Sequence, residues 1–293
     1  MSLPLTPQLA GLRDFAERYD LILCDIWGVI HNGVSVFPET LAALASFRDG
    51  GKRRVILVTN APRPDWWVKK QLDDLGVPAM VYDAIVTSGD VTRMAIIARA
   101  GEGADQVFAL GPEKDRNFYD GLPIRLVSPA QADLVCVTGL LDDEAETPED
   151  YGAMLEGFLA RDLPMICANP DIVVERGHKL VYCGGALAQK YREMGGKAHL
   201  FGKPHAPIYA RAAEVGAVLC ASAPDRARVL AIGDGVATDI KGANDADLDC
   251  LFITGGIHSA EAGPLAVPTP ERVGAFLAEK GQKAEAFMLR LQW

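Results

Sequence analysis

The chain has 293 residues, 49% of them hydrophobic, and a formal net charge of −10, so it can bury a full core and disorder is excluded as the default. An acidic chain without a Lys/Arg block does not suit nucleic acid held through phosphate contacts, and neither a membrane span of about 18 apolar residues nor a secretory leader is visible. An anionic ligand would therefore need local positive charge, from a metal or a placed lysine.

In chain order, the first strand signal is Leu21 to Cys24, followed by Val55 to Val58 and Ala84 to Val86, then much later Val229 to Ile232 and Cys250 to Ile253. These runs do not alternate with polar residues, as expected of strands buried on both faces of a parallel sheet. Between the first two, Pro38-Glu39-Thr40 opens a segment with Leu41, Leu44 and Phe47 on one side and Gly50-Gly51 behind it, a proline-started, glycine-ended helix. Asp65 to Leu75, Val91 to Arg99 and Pro207 to Val215 read as helices of the same kind. The stretch from about Gly101 to Lys197 has strand candidates of its own at Val107 to Leu110, Leu134 to Val137, Met165 to Cys167 and Lys179 to Tyr182. It also holds a helix start at Thr147-Pro148 with Asp150 three residues after the cap. The pattern predicts an open α/β fold with an α+β insertion between the halves of one sheet. The six cysteines show no CxxC spacing and read as small buried hydrophobes of a reducing, cytoplasmic protein.

Four short sequences fall where carboxyl ends of sheet strands belong, the usual ligand edge of such folds. Asp25 ends the first strand and is followed by Ile26-Trp27-Gly28. Thr59-Asn60 ends the second with a hydroxyl and an amide able to hold phosphoryl oxygens. Gly202-Lys203-Pro204 sets a lysine before a helix. Gly233-Asp234 and Thr238-Asp239 put two carboxylates on one glycine turn, a pattern suited to a hard divalent cation. Taken singly, each also reads as a cap, a turn or a solvated lysine.

Their order resembles the four motifs of the haloacid-dehalogenase-like (HAD) superfamily, and within it the type IIA branch of 4-nitrophenyl-phosphatase-like and sugar-phosphatase-like members. The resemblance implies a Rossmann-like parallel-sheet core over 1–100 and 198–293, with an α/β cap of the C2 type inserted over 101–197 to select substrate. It implies a Mg2+-dependent hydrolase of small phosphate monoesters, with Asp25 as nucleophile forming an aspartyl-phosphate. Mg2+ would be held by Asp25, Asp234, Asp239 and the backbone carbonyl of Trp27. Thr59 would bond the transferring phosphoryl group with Asn60 beside it, and Lys203 would offset the charge shared by Asp25 and phosphate. The physics agrees, since carboxylate and phosphate cannot meet without a cation between them. The expected ligand is a small phosphorylated metabolite, and the resembled branch commonly pairs as a homodimer through the cap.

One position departs from the pattern. Phosphatases of this superfamily carry a second Asp two residues after the nucleophile, where this chain has Trp27, and an indole cannot exchange a proton at neutral pH. Three explanations stay open: another acid such as His31, with His205 and His258 further off; a substrate whose leaving group needs no acid; or a protein that binds phosphorylated ligands without turning them over. The superfamily's metal-free dehalogenases have an aromatic residue at this position, but retained Asp234 and Asp239 favour a metal site. Arg63, with its forked donors, is a candidate for binding phosphate or carboxylate. In the insertion, Asp171 of Asn169-Pro170-Asp171 and Glu175 look similar to cap elements that touch substrate.

Overall fold

The computed structural model describes residues 5–176, 179–257 and 268–293. Its strands are β1 Leu21–Cys24, β2 Arg54–Thr59, β3 Ala84–Thr87, β4 Gln106–Leu110, β5 Arg125–Leu126, β6 Leu134–Val137, β7 Met165–Cys167, β8 Val173–Arg176, β9 Lys179–Tyr182, β10 Ala198–Leu200, β11 Val229–Gly233, β12 Asp249–Ile253 and β13 Ala286–Met288. Its α-helices are α1 Arg13–Ala16, α2 Pro38–Arg48, α3 Asp65–Asp74, α4 Ser88–Gly101, α5 Gly152–Leu159, α6 Gly184–Glu193, α7 Ala206–Leu219, α8 Lys241–Asp245 and α9 Pro270–Glu279. Two compact units form: Met1–Thr59, Lys69–Val86 and Ile208–Trp293 make the first, and Asn60–Val68 with Thr87–Pro207 the second. No helix among the described residues is long and apolar enough to cross a membrane.

A six-stranded sheet, ordered β13-β12-β11-β1-β2-β3, organises the first unit. The pairings of β1 with β2 and β11, of β11 with β12 and of β12 with β13 are all parallel. Every residue of β1 and of β11 is buried, which is why these runs are apolar throughout instead of alternating. The five strands expected from apolar runs are all present, and the sixth, Ala286–Met288, is only three residues long. One face is covered where Val236, Ile240, Val273 and Leu277 pack on Ala231, Cys250, Phe252 and Phe287. In α2 the buried side is Thr40, Ala43, Leu44 and Phe47, so Thr40 takes the place expected of Leu41 and donates its hydroxyl to Leu291 O.

The second unit has its own five-stranded sheet, ordered β10-β7-β6-β4-β5, with all registered pairs parallel. The antiparallel pair β8-β9 stands outside it. Successive residues of β6 serve opposite faces. Val135 and Val137 meet Leu155 and Phe158 of α5 and Leu187 and Tyr191 of α6. Leu134 and Cys136 meet Ile96 of α4 with Phe118 and Tyr119. Thr147 closes the expected capping box with Asp150, though the box first opens a 3-10 turn, Pro148–Tyr151, ahead of α5. Helix α4 starts earlier than Val91 because Thr87 caps it, accepting the Asp90 N–H.

Candidate active site

Parallel register brings three motifs to one sheet edge. Cys24 pairs with Leu57 on one side and Ile232 on the other, so Asp25, Thr59 and Asp234 all stand one or two residues beyond the last pair. The Asp25 N–H donates to Ile232 O at 2.8 Å, extending the β1/β11 ladder and fixing the residue where the strand ends. After Asp234 the chain makes one π-helical turn, Val236–Ile240, which carries Asp239. Such turns are rare and gather at functional sites.

Asp25, Asp234 and Asp239 are all buried and offer carboxylate oxygens that lie within 4.8 Å of one another. Glycines make this crowding possible. A Cβ on Gly28, whose φ is +84°, would stand 2.0 Å from Asp234 Oδ2, and one on Gly256 would stand 1.9 Å from the same oxygen. That oxygen accepts the Ile257 N–H at 2.8 Å. Gly233 likewise leaves room for Asp239, whose Oδ2 accepts the Gly235 N–H at 3.1 Å. Carboxylates this close repel one another, and a cation among them relieves that repulsion. The donor set is all hard oxygen, so the residues present fit a Mg2+ ion.

The loop beyond Asp25 folds back on itself. Gly28 N–H donates to His31 O and Ile30 N–H to Ile26 O, both at 2.8 Å. The Trp27 and His31 rings meet edge to face, 5.2 Å apart at 74°, and the Trp27 ring packs where a Cβ on Gly33 would stand, 2.5 Å from its nearest carbon. His31 is 2% exposed, and burial pushes its pKa down to about 4. Its Nδ1 accepts the Gly33 N–H at 2.9 Å, so the single proton of the neutral ring sits on Nε2. The pKa near neutrality expected for a substitute acid is therefore not found, because desolvation outweighs the ring's intrinsic basicity.

Lys203, Asn60, Asp171 and Arg63 belong to the second unit. Lys203 and Asn60 are buried. The Lys203 N–H donates to Asn60 Oδ1 at 2.7 Å, while Asn60 Nδ2 donates to Lys203 O at 3.1 Å and to Asp171 Oδ1 at 2.8 Å. Arg63 forms an ion pair with Asp115 at 2.6 Å, and its guanidinium lies 3.8 Å over the Trp67 ring. Trp66, its neighbour, is exposed. Burial raises the Asp115 carboxyl pKa, with the opposing pull of Arg63 ranking second, and burial lowers that of Arg63. Nothing in the segment around Asp115 marks it in the sequence; its partner lies 52 residues away. His205 donates its backbone N–H to Gly202 O. Glu175 lies in β8, its side chain outside the described set, and His258 lies outside the described residues.

Comparison with known proteins follows the same geography. A family model described as haloacid dehalogenase-like hydrolase matches residues 22–125, the span of Asp25, Trp27, His31, Thr59, Asn60 and Arg63. A second, described as HAD-hydrolase-like, matches residues 200–279, the span of Lys203, Asp234 and Asp239. Asp171 and Glu175 fall outside both. A crystal structure of a hydrolase of the haloacid dehalogenase-like family from Brucella suis 1330 is 44% identical, covers 97% of this chain and 99% of that one, and superimposes with a TM-score of 0.84. The glycerol phosphate phosphatase from Mycobacterium tuberculosis, solved in complex with magnesium, is 25% identical over 88% of this chain and 74% of that chain, with a TM-score of 0.64. The 5'-nucleotidase YutF of Bacillus subtilis (strain 168) is 26% identical, covering 84% of this chain and 91% of that protein.

Proposed function

The chain belongs to the haloacid dehalogenase-like hydrolase family, and from that membership we propose that it is a phosphatase-type hydrolase that takes small phosphate monoesters through an aspartyl-phosphate at Asp25, with Mg2+ as cofactor. The observation that carries the reading is the trio of buried carboxylates at Asp25, Asp234 and Asp239. An Asp25 oxygen attacks phosphorus, the bond to the ester oxygen breaks, and the leaving alkoxide takes its proton from water, because Trp27 has none to give. Water then cleaves the acyl phosphate, returning the Asp25 carboxylate and inorganic phosphate. Asp25, Asp234, Asp239 and the Trp27 carbonyl would hold Mg2+, which when bound would offset the negative charge of nucleophile and phosphate. Thr59 steadies the phosphoryl group, and Lys203 offsets its remaining negative charge. The sheet inserted between the two halves of the core acts as the cap that selects a small phosphorylated metabolite, and pairing of two chains through it gives a homodimer. The relatives named for glycerol phosphate and for 5'-nucleotides support the substrate class.

A second reading has one observation in its favour. Trp27 fills the place of the usual proton donor, and His31 is buried against it in neutral form. The chain would then bind phosphorylated ligands and turn them over weakly. A screen of phosphate esters with and without Mg2+, run on the native chain beside Asp25→Asn, separates the readings. Turnover that needs both Mg2+ and Asp25 supports the hydrolase. Tight binding without turnover supports the second reading, and metal-independent hydrolysis of a haloacid overturns both.

A further inference from the structure

We infer that Asn60 is a positioning residue: its side-chain amide locks the main chain of Lys203 to the carboxylate of Asp171, and it does not itself hold the phosphoryl group. The inference rests on the reading of Lys203 as the charge-offsetting lysine. A side-chain amide has two N–H donors and one carbonyl acceptor. Both donors of Asn60 are engaged, one on Lys203 O at 3.1 Å and the other on Asp171 Oδ1 at 2.8 Å. The carbonyl accepts the Lys203 N–H at 2.7 Å. The orientation of the amide is not ambiguous, because a backbone N–H can only donate and a backbone carbonyl can only accept. What is left on the Asn60 side chain is acceptor capacity, which repels a phosphoryl oxygen.

Packing closes the same space. A Cβ on Gly202 would lie 2.4 Å from Asn60 Oδ1, 2.7 Å from Pro170 Cγ and 2.7 Å from Ser88 Oγ. Gly202 thus seats the lysine loop directly on the amide. The Asp171 loop has anchors of its own: Asp171 N–H donates to Asn169 Oδ1 at 3.2 Å and Gly185 N–H to Asp171 O at 3.1 Å. Asn60 is therefore the joint through which an independently held loop fixes the lysine segment. All of these residues lie in one compact unit.

The test is a polarity swap. Asn60→Asp keeps the acceptor for the Lys203 N–H but turns a carboxylate oxygen toward Lys203 O and Asp171, two groups that offer no proton. It should lower kcat/KM for 4-nitrophenyl phosphate by about 10²-fold, the size of effect that a misplaced catalytic group produces. Asp171→Asn can give the missing proton back, so adding Asn60→Asp to that variant should cost about tenfold or less. Equal losses in both backgrounds would overturn the inference, since a direct phosphoryl contact by the Asn60 N–H would not be restored by residue 171. Thermal melting of the same four proteins without substrate reads the joint independently of turnover. Coupling in the melts with no activity in the native chain means that the hydrolase reading fails while the joint stands. Activity with no coupling in either readout means the reverse.

Discussion

Gly28 and Asp234 are packed so closely that the first side-chain carbon any other residue would bring lies 2.0 Å from the Asp234 carboxylate. The same glycine holds a φ of +84°, a conformation costly for residues with a Cβ. Gly28→Ala should therefore act twice. It should destabilise the fold by about 1–3 kcal/mol, and it should weaken Mg2+ binding by more than that strain accounts for, because the displaced carboxylate is a proposed ligand. Mg2+ titration followed by calorimetry, set beside urea unfolding in EDTA, separates the two effects.

Trp27→Asp restores a titratable group two residues after the proposed nucleophile. Activity toward alkyl phosphates, whose leaving groups depart poorly without a proton, should rise, by up to about 10²- to 10⁴-fold. Activity toward 4-nitrophenyl phosphate should change much less. A comparable gain on both substrates would show that proton transfer is not what the native chain lacks.

His31 makes stability depend on pH. Its usual pKa of 6.5 falls to about 4 in the folded chain, so between those values the unfolded chain binds a proton that the folded chain does not. The unfolded state is thereby favoured as pH drops from about 6.5 to 4, and the contribution is fully present only above that window. The loss amounts to about 3 kcal/mol at roughly 1.4 kcal/mol for each pH unit. His31→Leu should flatten this part of the profile. Urea unfolding at pH 7 and pH 5 measures it, and an unchanged slope in the variant would reject His31 as the source.

The Arg63–Asp115 pair joins a buried carboxylate to a half-buried guanidinium, so its halves are unequal to its whole. Arg63→Met leaves the buried Asp115 carboxylate only its Thr138 hydrogen bond and the more distant Lys114 charge, and should cost about 3 kcal/mol. Arg63→Met with Asp115→Leu removes both charges and should recover most of that. Chemical unfolding of the two variants decides it, and equal losses would mean that packing of Arg63 on Trp67 matters more than charge.

Much of this was legible in the linear chain for a physical reason. Strands buried on both faces need apolar residues throughout, so Leu21–Cys24 and Val229–Gly233 announce themselves. Carboxylates just beyond such runs, at Asp25 and Asp234, are conspicuous against them. Ala286–Met288 is too short for any periodicity to show. Asp115 and Gly256 were hidden because their roles come from partners distant in sequence, Arg63 for one and the Asp234 oxygen for the other. His31 left two readings open, a substitute acid or a loop histidine bonded to backbone, because residue type gives an intrinsic pKa and only the fold gives the desolvation and the Gly33 partner. Asn60 was visible as a polar residue at a strand end, but which of its atoms meets which neighbour depends on loops more than a hundred residues away.

Five of the six free thiols are sealed inside, Cys24 and Cys250 in one unit and Cys136, Cys167 and Cys183 in the other, leaving only Cys220 partly open. Burial pushes Cys136 and Cys250 up to about 12, so neither reacts until water reaches it. The chain thus carries its own clock for local opening: the order in which a thiol reagent modifies these positions times the loosening of each half separately, with no label added.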